Sequence, residues 1–136
     1  MMLDMRTLCQ YRLNHAKEDL VAAENNHQAG FYRAAIDRSF HAIFHSIRAV
    51  NVLDNFDASK HSSVIAHFNQ TYVHTGEFEY DVYKITDSAH RIREKCDYSD
   101  FFIASKEDSE AQLKHAQDFV NTVEIYLNLK INQEET

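Results

Sequence analysis

The sequence predicts an all-α fold, an up-and-down antiparallel bundle of four to five helices. The chain has no proline and only two glycines in 136 residues, so little in it interrupts a helix. Apolar residues recur every three or four positions, which is the spacing of one helix face. The composition, 44% hydrophobic and 26% charged, is that of an ordinary soluble globular chain. We expect one domain over residues 1–130 and a flexible tail over residues 131–136.

Two long helices are predicted on either side of Gly30. Spaced apolar residues predict the first over about residues 3–27, and Gly30 then ends or turns it. The second runs from about residue 31 to 53 and carries a stripe of large apolar residues, Ile36, Phe40, Ile43, Ile47 and Val50. Beside it runs a stripe of small residues, Ala35, Ser39, Ala42, Ser46 and Ala49. Small side chains let another backbone approach closely, so we expect tight helix pairing within the fold or across a dimer axis.

Three further helices are predicted after residue 54. The serines and aspartate of the polar segment can cap a third helix that starts near Ser59 or Ser62, and Gly76 closes it. A fourth helix, with its cysteine half-buried, is predicted from the stripe Val82, Ile85, Ala89, Ile92 and Cys96. Ser105 and Asp108 form a capping pair before a last helix. The core stripe of that helix is Leu113, Ala116, Val120, Val123 and Leu127.

Charge, cysteine content and hydropathy exclude several classes of protein. The net charge of −7 argues against nonspecific duplex binding, although a local basic patch is still compatible with it. Cys9 and Cys96 are too few for a disulfide framework or a zinc-ligand pattern, which favours a reduced, intracellular protein. The first residues lack the pattern of an export signal, and no apolar run approaches membrane-spanning length. We therefore expect a cytoplasmic protein that does not bind membranes.

The second helix carries a polar stripe, which is the first candidate for chemistry. Arg38, His41, His45 and Arg48 are spaced by three, four and three residues and share one face. Asp37, His41 and His45 are each four apart, the spacing of a metal-binding histidine pair. No His-Glu-x-x-His pattern or third ligand accompanies them. We therefore favour a hydrated or dimer-facing stripe and expect no metal and no other cofactor.

The run from His90 to Tyr98 is the second candidate, because it places two arginines, a thiol, a carboxylate and a phenol within about two helical turns. Neighbouring Lys95 and Arg93 would lower the pKa of a thiol at position 96. No histidine with an orienting partner can be assigned to that thiol, so a structural cysteine is favoured over a nucleophile.

The order of these segments resembles the HEPN domain family, specifically the small stand-alone members found beside minimal nucleotidyltransferases in prokaryotic genomes. Residues 31–35 and 38–49 are similar to the second helix of the family, with its aromatic pair and Phe-His step. Lys60-His61-Ser62 resembles the start of its third helix, and residues 93–98 resemble its Arg-x-x-x-Asp-Tyr signature. Phe68, Gly76 and the helix that contains Ala111, Ala116 and Phe119 also fit. The resemblance covers roughly residues 8 to 128.

The resemblance implies a bundle that dimerises and, in catalytic members, a metal-independent RNA cleavage site assembled across the dimer. That site uses an arginine and a histidine with four to six residues between them in the later helices. Downstream of Arg91 and Arg93 this chain offers Cys96, Asp97 and Tyr98 instead of a histidine. Arg38 and His45 have the right separation, but they belong to the second helix.

Cleavage by a 2′-hydroxyl needs a proton carrier of near-neutral pKa and a cation at the developing negative charge. Arg93 can supply the cation, and the candidate proton carriers are His90, His41 and His45. Asp97 lies on the same face as Arg93 and is expected to pair with it. We favour a polar latch of Arg93, Asp97 and Tyr98 over a reactive site.

Three functions stay open at this point. The preferred one is a dimeric, non-catalytic or weakly catalytic HEPN protein that binds a minimal nucleotidyltransferase, a nucleotide or RNA in a toxin–antitoxin-like or stress system. Its binding residues would be Arg38, His41, His45, Arg48, Arg91, Arg93, Asp97 and Tyr98. The alternative is a metal-independent ribonuclease toxin with a rearranged Arg/His site, and the third is a helical scaffold without a ligand. The resemblance also implies that a partner nucleotidyltransferase can modify Tyr98.

Overall fold

Five α-helices build the protein in the computed structural model, which describes residues 3–135. They are α1 (Leu3–Gln28), α2 (Tyr32–Asn51), α3 (His61–Phe68), α4 (Tyr80–Tyr98) and α5 (Lys106–Glu135). A 3-10 turn, Val52–Asp54, extends α2, and a π-helical turn, Asn69–Val73, extends α3. The described residues contain no strand. The predicted all-α bundle is confirmed.

The centre of the bundle is α2, which contacts each of the other four helices. Its large apolar stripe is buried, with Phe40 only 2% exposed. The small stripe is buried as well, and the thiol of Cys9 on α1 lies 3.4 Å from the carbonyl oxygen of Ala49. Of the two alternatives for the small stripe, close helix pairing within the fold is therefore the one observed.

The core stripe of α5 is confirmed, because all five of its predicted residues are buried. Four of them, Ala116, Val120, Val123 and Leu127, join side chains from α1 to α4 in one continuous hydrophobic core. Cys96 is 2% exposed, so it is fully buried rather than half-buried as the spacing predicted. No helix among residues 3–135 combines the length and the apolar character needed to cross a membrane.

The helix ends agree with the sequence at some positions and differ at others. Ser105 and Asp108 form the predicted capping pair, since the Ser105 hydroxyl accepts from the Asp108 N–H at 3.0 Å and the Asp108 carboxylate accepts from the Ser105 N–H at 3.3 Å. Gly30 and Gly76 have φ values of 84° and 88°, which suit glycine after a helix.

The predicted serine or aspartate cap of α3 is wrong. Lys60 holds the cap position without a side-chain hydrogen bond, and its carbonyl oxygen accepts from the Val64 N–H at 3.1 Å.

Helix α5 continues through residue 135. That residues 131–136 form a flexible tail stays a prediction. This segment contains no glycine or proline, and Ile131 is half-buried, so nothing in the sequence ends the helix at residue 130. Residue 136 lies outside the described residues.

Candidate functional site

The polar stripe of α2 is half-buried between α1 and α4. The Arg38 guanidinium lies 3.1 Å from Asp19 of α1 and 3.0 Å from its neighbour Asp37. The side chain of Asp19 is only 6% exposed. Because Arg38 contacts a carboxylate on another helix, this part of the stripe is an intramolecular contact surface. The hydrated or dimer-facing stripe that the sequence favours stays a prediction.

Arg93 brings the second polar segment to the same place. Its Nε atom lies 3.4 Å from Asp37 Oδ1, and its Nη2 atom lies 3.4 Å from Asp97 Oδ2. Its guanidinium also lies over the ring of Phe40, 4.8 Å from the ring centre, in cation–π geometry. The two candidate segments of the sequence therefore form one site through Asp37.

Burial alone would raise the pKa of Asp37. The hydrogen bond from Arg38 and the charges of His41, Arg38 and Arg93 outweigh it and hold the pKa of that carboxyl below its ordinary value. Asp37 is therefore a carboxylate at neutral pH, and it is the common partner of the cations from both segments.

Three imidazoles surround the Phe40 ring on which Arg93 lies. The ring of His61 is 5.4 Å from that of Phe40 and 5.8 Å from that of His41. The ring of His90 is 6.5 Å from Phe40. Burial, and then the charge of Arg93, lower the pKa of His61. Folding thus brings histidines to Arg93, although none follows it at the expected spacing in the sequence.

His45 lies one helical turn beyond His41 on α2, and it also lies next to Asp19. Its Nε2 atom is 3.7 Å from Asp19 Oδ2, and its ring stacks on that of His15 at 3.9 Å between centres. Burial, followed by the charges of His15 and His41, lowers the pKa of His45 to about 4. Its imidazole is therefore neutral at pH 7. Burial raises the pKa of Asp19, which the charge of Arg38 opposes.

Arg48 belongs to a separate contact at the end of the stripe. It lies 3.1 Å from Asp57, which also accepts from Arg12 of α1 at 3.4 Å. Arg12 donates in addition to the carbonyl oxygen of Arg48 at 3.1 Å. This contact joins α1 to the end of α2 and the loop that follows.

The remaining predicted residues of α4 make other contacts, although the His90 ring also lies near Phe40. Arg91 is 74% exposed and pairs with Asp87 at 3.0 Å. His90 pairs with Glu94 at 3.1 Å, and Tyr98 is 81% exposed. The fold therefore brings together Arg38, His41, Arg93 and Asp97, with His45 adjoining through Asp19, and leaves Arg48, Arg91 and Tyr98 outside this cluster.

Sequence reasoning missed three members of the site, His15, Asp19 and His61. A signal for Asp19 existed, because it lies between Ala16 and Ala23 at helical spacing and so falls on the apolar stripe of α1. A carboxylate at such a position requires a buried partner.

The arginines of this region balance its carboxylates. Arg12, Arg38, Arg48 and Arg93 are each within 4 Å of at least one of Asp19, Asp37, Asp57 and Asp97. Pairs of this kind fix the packing of α1, α2 and α4 and reduce the positive potential available to an anionic ligand.

Comparison with known proteins agrees with this architecture. The sequence is similar to two proteins of Methanocaldococcus jannaschii, each named "Putative toxin". One is 26% identical over 85% of this chain and 78% of its own length, and the other is 31% identical over 88% and 89%. A "UPF0332 protein" of Thermotoga maritima is 24% identical over 90% of this chain and 93% of its own length.

The family model for the HEPN domain matches residues 9–126. That range includes all of α2, α3 and α4, most of α1 and α5, and every residue of the cluster around Asp37. The chain belongs to the HEPN domain family.

Proposed function

We propose that this protein is a dimeric, non-catalytic or weakly catalytic HEPN protein that binds a minimal nucleotidyltransferase in a cytoplasmic toxin–antitoxin-like or stress system. Membership of the HEPN family and similarity to proteins named as toxins support the class of system. The identity of the partner rests on the resemblance to members encoded beside nucleotidyltransferases.

An exposed aromatic patch beside Tyr98 is the observation that carries the proposal. Its members, Phe31, Tyr98, Phe101 and Ile103, are 64% to 95% exposed. The two segments that carry them adjoin, since Arg33 donates to the carbonyl oxygen of Phe102 at 2.9 Å. Large apolar side chains that are grouped at a surface mark sites of protein association. Either the nucleotidyltransferase or a second copy of this chain would bury them.

The paired arginines support weak catalysis or none. A cation that stabilises a phosphorane must direct its charge to the reacting phosphate. Arg93 instead contacts Asp37 and Asp97, and Arg38 contacts Asp19 and Asp37. An RNA phosphate would have to displace these carboxylates. The same groups can still position a nucleotide, with exposed aromatic side chains nearby for base stacking.

Co-expression tests the proposal. The tagged product of a nucleotidyltransferase gene adjacent to the gene of this protein should retain the untagged wild-type chain. Phe101→Ser and Ile103→Ser should weaken retention, because they remove exposed apolar area from the patch. Leu129→Ser is the matched control, since Leu129 is 57% exposed on α5, away from the patch. Equal retention of all variants, or no retention of the wild type, would reject the proposed docking face.

Tyr98 is the proposed acceptor of a nucleotidyl group. Attack of its phenol oxygen on the α-phosphate of a nucleoside triphosphate would form a phosphodiester and release pyrophosphate. Its exposure of 81% gives the partner access. Intact-mass measurement after co-expression should show one nucleotidyl addition on the wild type and none on Tyr98→Phe. An unmodified wild type would reject this part of the proposal.

A ribonuclease toxin is the second candidate, and one observation favours it. His41 and His61 lie beside Arg93. Helices α2 and α3 therefore supply histidines in place of the one that should follow Arg93 on α4 at the family spacing, and these can carry the proton. Such an enzyme should arrest growth when it is expressed alone. Arg93→Gln and His61→Gln should relieve the arrest, while Arg91→Gln, outside the cluster, should not.

A further inference from the structure

The side chains of His15, Asp19 and His45 meet between α1 and α2. One ligand atom from each lies within 4.8 Å of the other two. His15 and Asp19 are four residues apart on α1 and so lie on the same face, and His45 approaches them from α2. Two imidazole nitrogens and one carboxylate oxygen form a donor set that suits divalent transition-metal ions, above all Zn²⁺.

Two buried polar atoms of this cluster lack a partner. Asp19 Oδ2 and His45 Nδ1 make no hydrogen bond with the described part of the chain. The Asp19 side chain is 6% exposed, and its Oδ2 atom is directed towards the His45 ring, 3.7 Å from Nε2. Leaving a buried carboxylate oxygen unpaired is unfavourable, and in native proteins such an atom often indicates a ligand.

We propose that His15, Asp19 and His45 bind a divalent transition-metal ion of the Zn²⁺ class, which connects α1 to α2. This site goes beyond the proposed function and does not depend on it. It also differs from the metal-free expectation of the sequence, because its ligands come from two helices. The His41–His45 pair considered there is not this site, since the ligand atoms that converge among the described residues belong to His15, Asp19 and His45.

The His15 side chain must move to complete the coordination, because its ring now stacks on that of His45 with 3.9 Å between centres and 16° between planes. Tetrahedral zinc with bonds of about 2.0–2.2 Å separates its ligand atoms by about 3.4 Å, so the widest spacing in the cluster must shorten. His15 is exposed, and its ring can rotate towards the other ligands. Arg38 holds Asp19 but also pairs with Asp37 at 3.0 Å, so it keeps a carboxylate partner when Asp19 turns to the metal. The His45 Nε2 atom, 3.7 Å from Asp19 Oδ2, is already close to the second ligand.

Calorimetric titration of the untagged full chain with Zn²⁺ alone tests the site. The wild type should bind one equivalent. His15→Gln should lower the affinity by at least roughly 100-fold, because even groups that only orient metal ligands contribute about 10–100-fold. The variant should fold, since His15 is exposed. His74→Gln, at another exposed histidine, is the matched control and should bind like the wild type.

Thermal unfolding gives a second readout. Zn²⁺ should raise the Tm of the wild type and of His74→Gln but not that of His15→Gln, because a ligand that binds only the folded state stabilises it. Equal binding and an equal Tm increase in His15→Gln would overturn the site. Absence of a one-equivalent binding step in the wild type, including the case of several weak adventitious sites only, would overturn it as well.

Discussion

Arg93 on α4 and Asp37 on α2, 56 residues apart in sequence, are joined by an ion pair of 3.4 Å between Nε and Oδ1. This contact links the two polar segments that the sequence presents separately. A double-mutant cycle of Arg93→Gln and Asp37→Asn should show a coupling free energy of about 0.5–1 kcal/mol in urea unfolding, since both side chains are partly buried.

The control for this coupling is Arg91→Gln. Arg91 is 74% exposed and, among the described residues, pairs with Asp87 on its own helix, so its removal should change the free energy of unfolding by less than about 0.5 kcal/mol. Additive effects of Arg93→Gln and Asp37→Asn would show that the two residues do not interact.

The pKa of His61 should report the proximity of Arg93. Burial, and then the charge of Arg93, lower that pKa. In NMR titration, Arg93→Gln should shift the His61 pKa upwards towards its ordinary value, and Arg91→Gln should leave it unchanged. An unaltered His61 titration in Arg93→Gln would contradict the arrangement around Phe40.

The same lowered pKa has a consequence for stability. As the pH falls through the ordinary range of a histidine, the unfolded chain binds a proton at position 61 that the folded protein does not bind. This group should therefore lower the stability of the fold as the pH falls below about 6.5. His61→Gln should show a shallower loss of stability between pH 7 and pH 5 than the wild type.

Both thiols should be unreactive in the folded protein. Cys9 and Cys96 are 1% and 2% exposed, and burial raises the pKa of Cys9 to about 11 and also raises that of Cys96. Iodoacetamide at pH 8 should add nothing to the native wild type and two groups in urea. Ser99→Cys, at an exposed position, should gain one group under native conditions. Rapid native alkylation of the wild type would contradict the packing.

Two leucines of α5 allow the effect of a substitution in the core to be compared with that of a substitution at the surface. Leu127 is 2% exposed, whereas Leu129 is 57% exposed. Leu127→Ala should lower the free energy of unfolding by about 2–5 kcal/mol, because it removes methyl groups from a filled core. Leu129→Ala should change it by less than about 0.5 kcal/mol. Similar losses from the two variants in urea unfolding would contradict the observed orientation of α5.

The helices could be predicted because the sequence patterns that indicate them involve residues close together in the chain. The spacing of apolar residues marked every long helix, and the Ser105–Asp108 pair marked the start of α5. Local signals were insufficient at the start of α3, where Lys60, and not a serine or an aspartate, holds the cap position.

Only part of the site was accessible from the sequence, because its geometry depends on helix packing. The face shared by Arg38 and His41 follows from helical spacing. The contacts of Asp37 with Arg93 and of His45 with Asp19 depend on how α1 and α4 pack on α2, which no spacing encodes. Histidine motifs read along one helix therefore missed His61, which reaches the site from α3.

Cleavage of RNA by the purified chain is the most direct test of the central claim, that a charge-paired HEPN site binds rather than cuts. The metal-free wild type, incubated with a mixture of structured and single-stranded RNA, should yield little or no more product than Arg93→Gln or a sample without protein. Efficient cleavage that Arg93→Gln and His61→Gln abolish, and that Arg91→Gln retains, would contradict the claim.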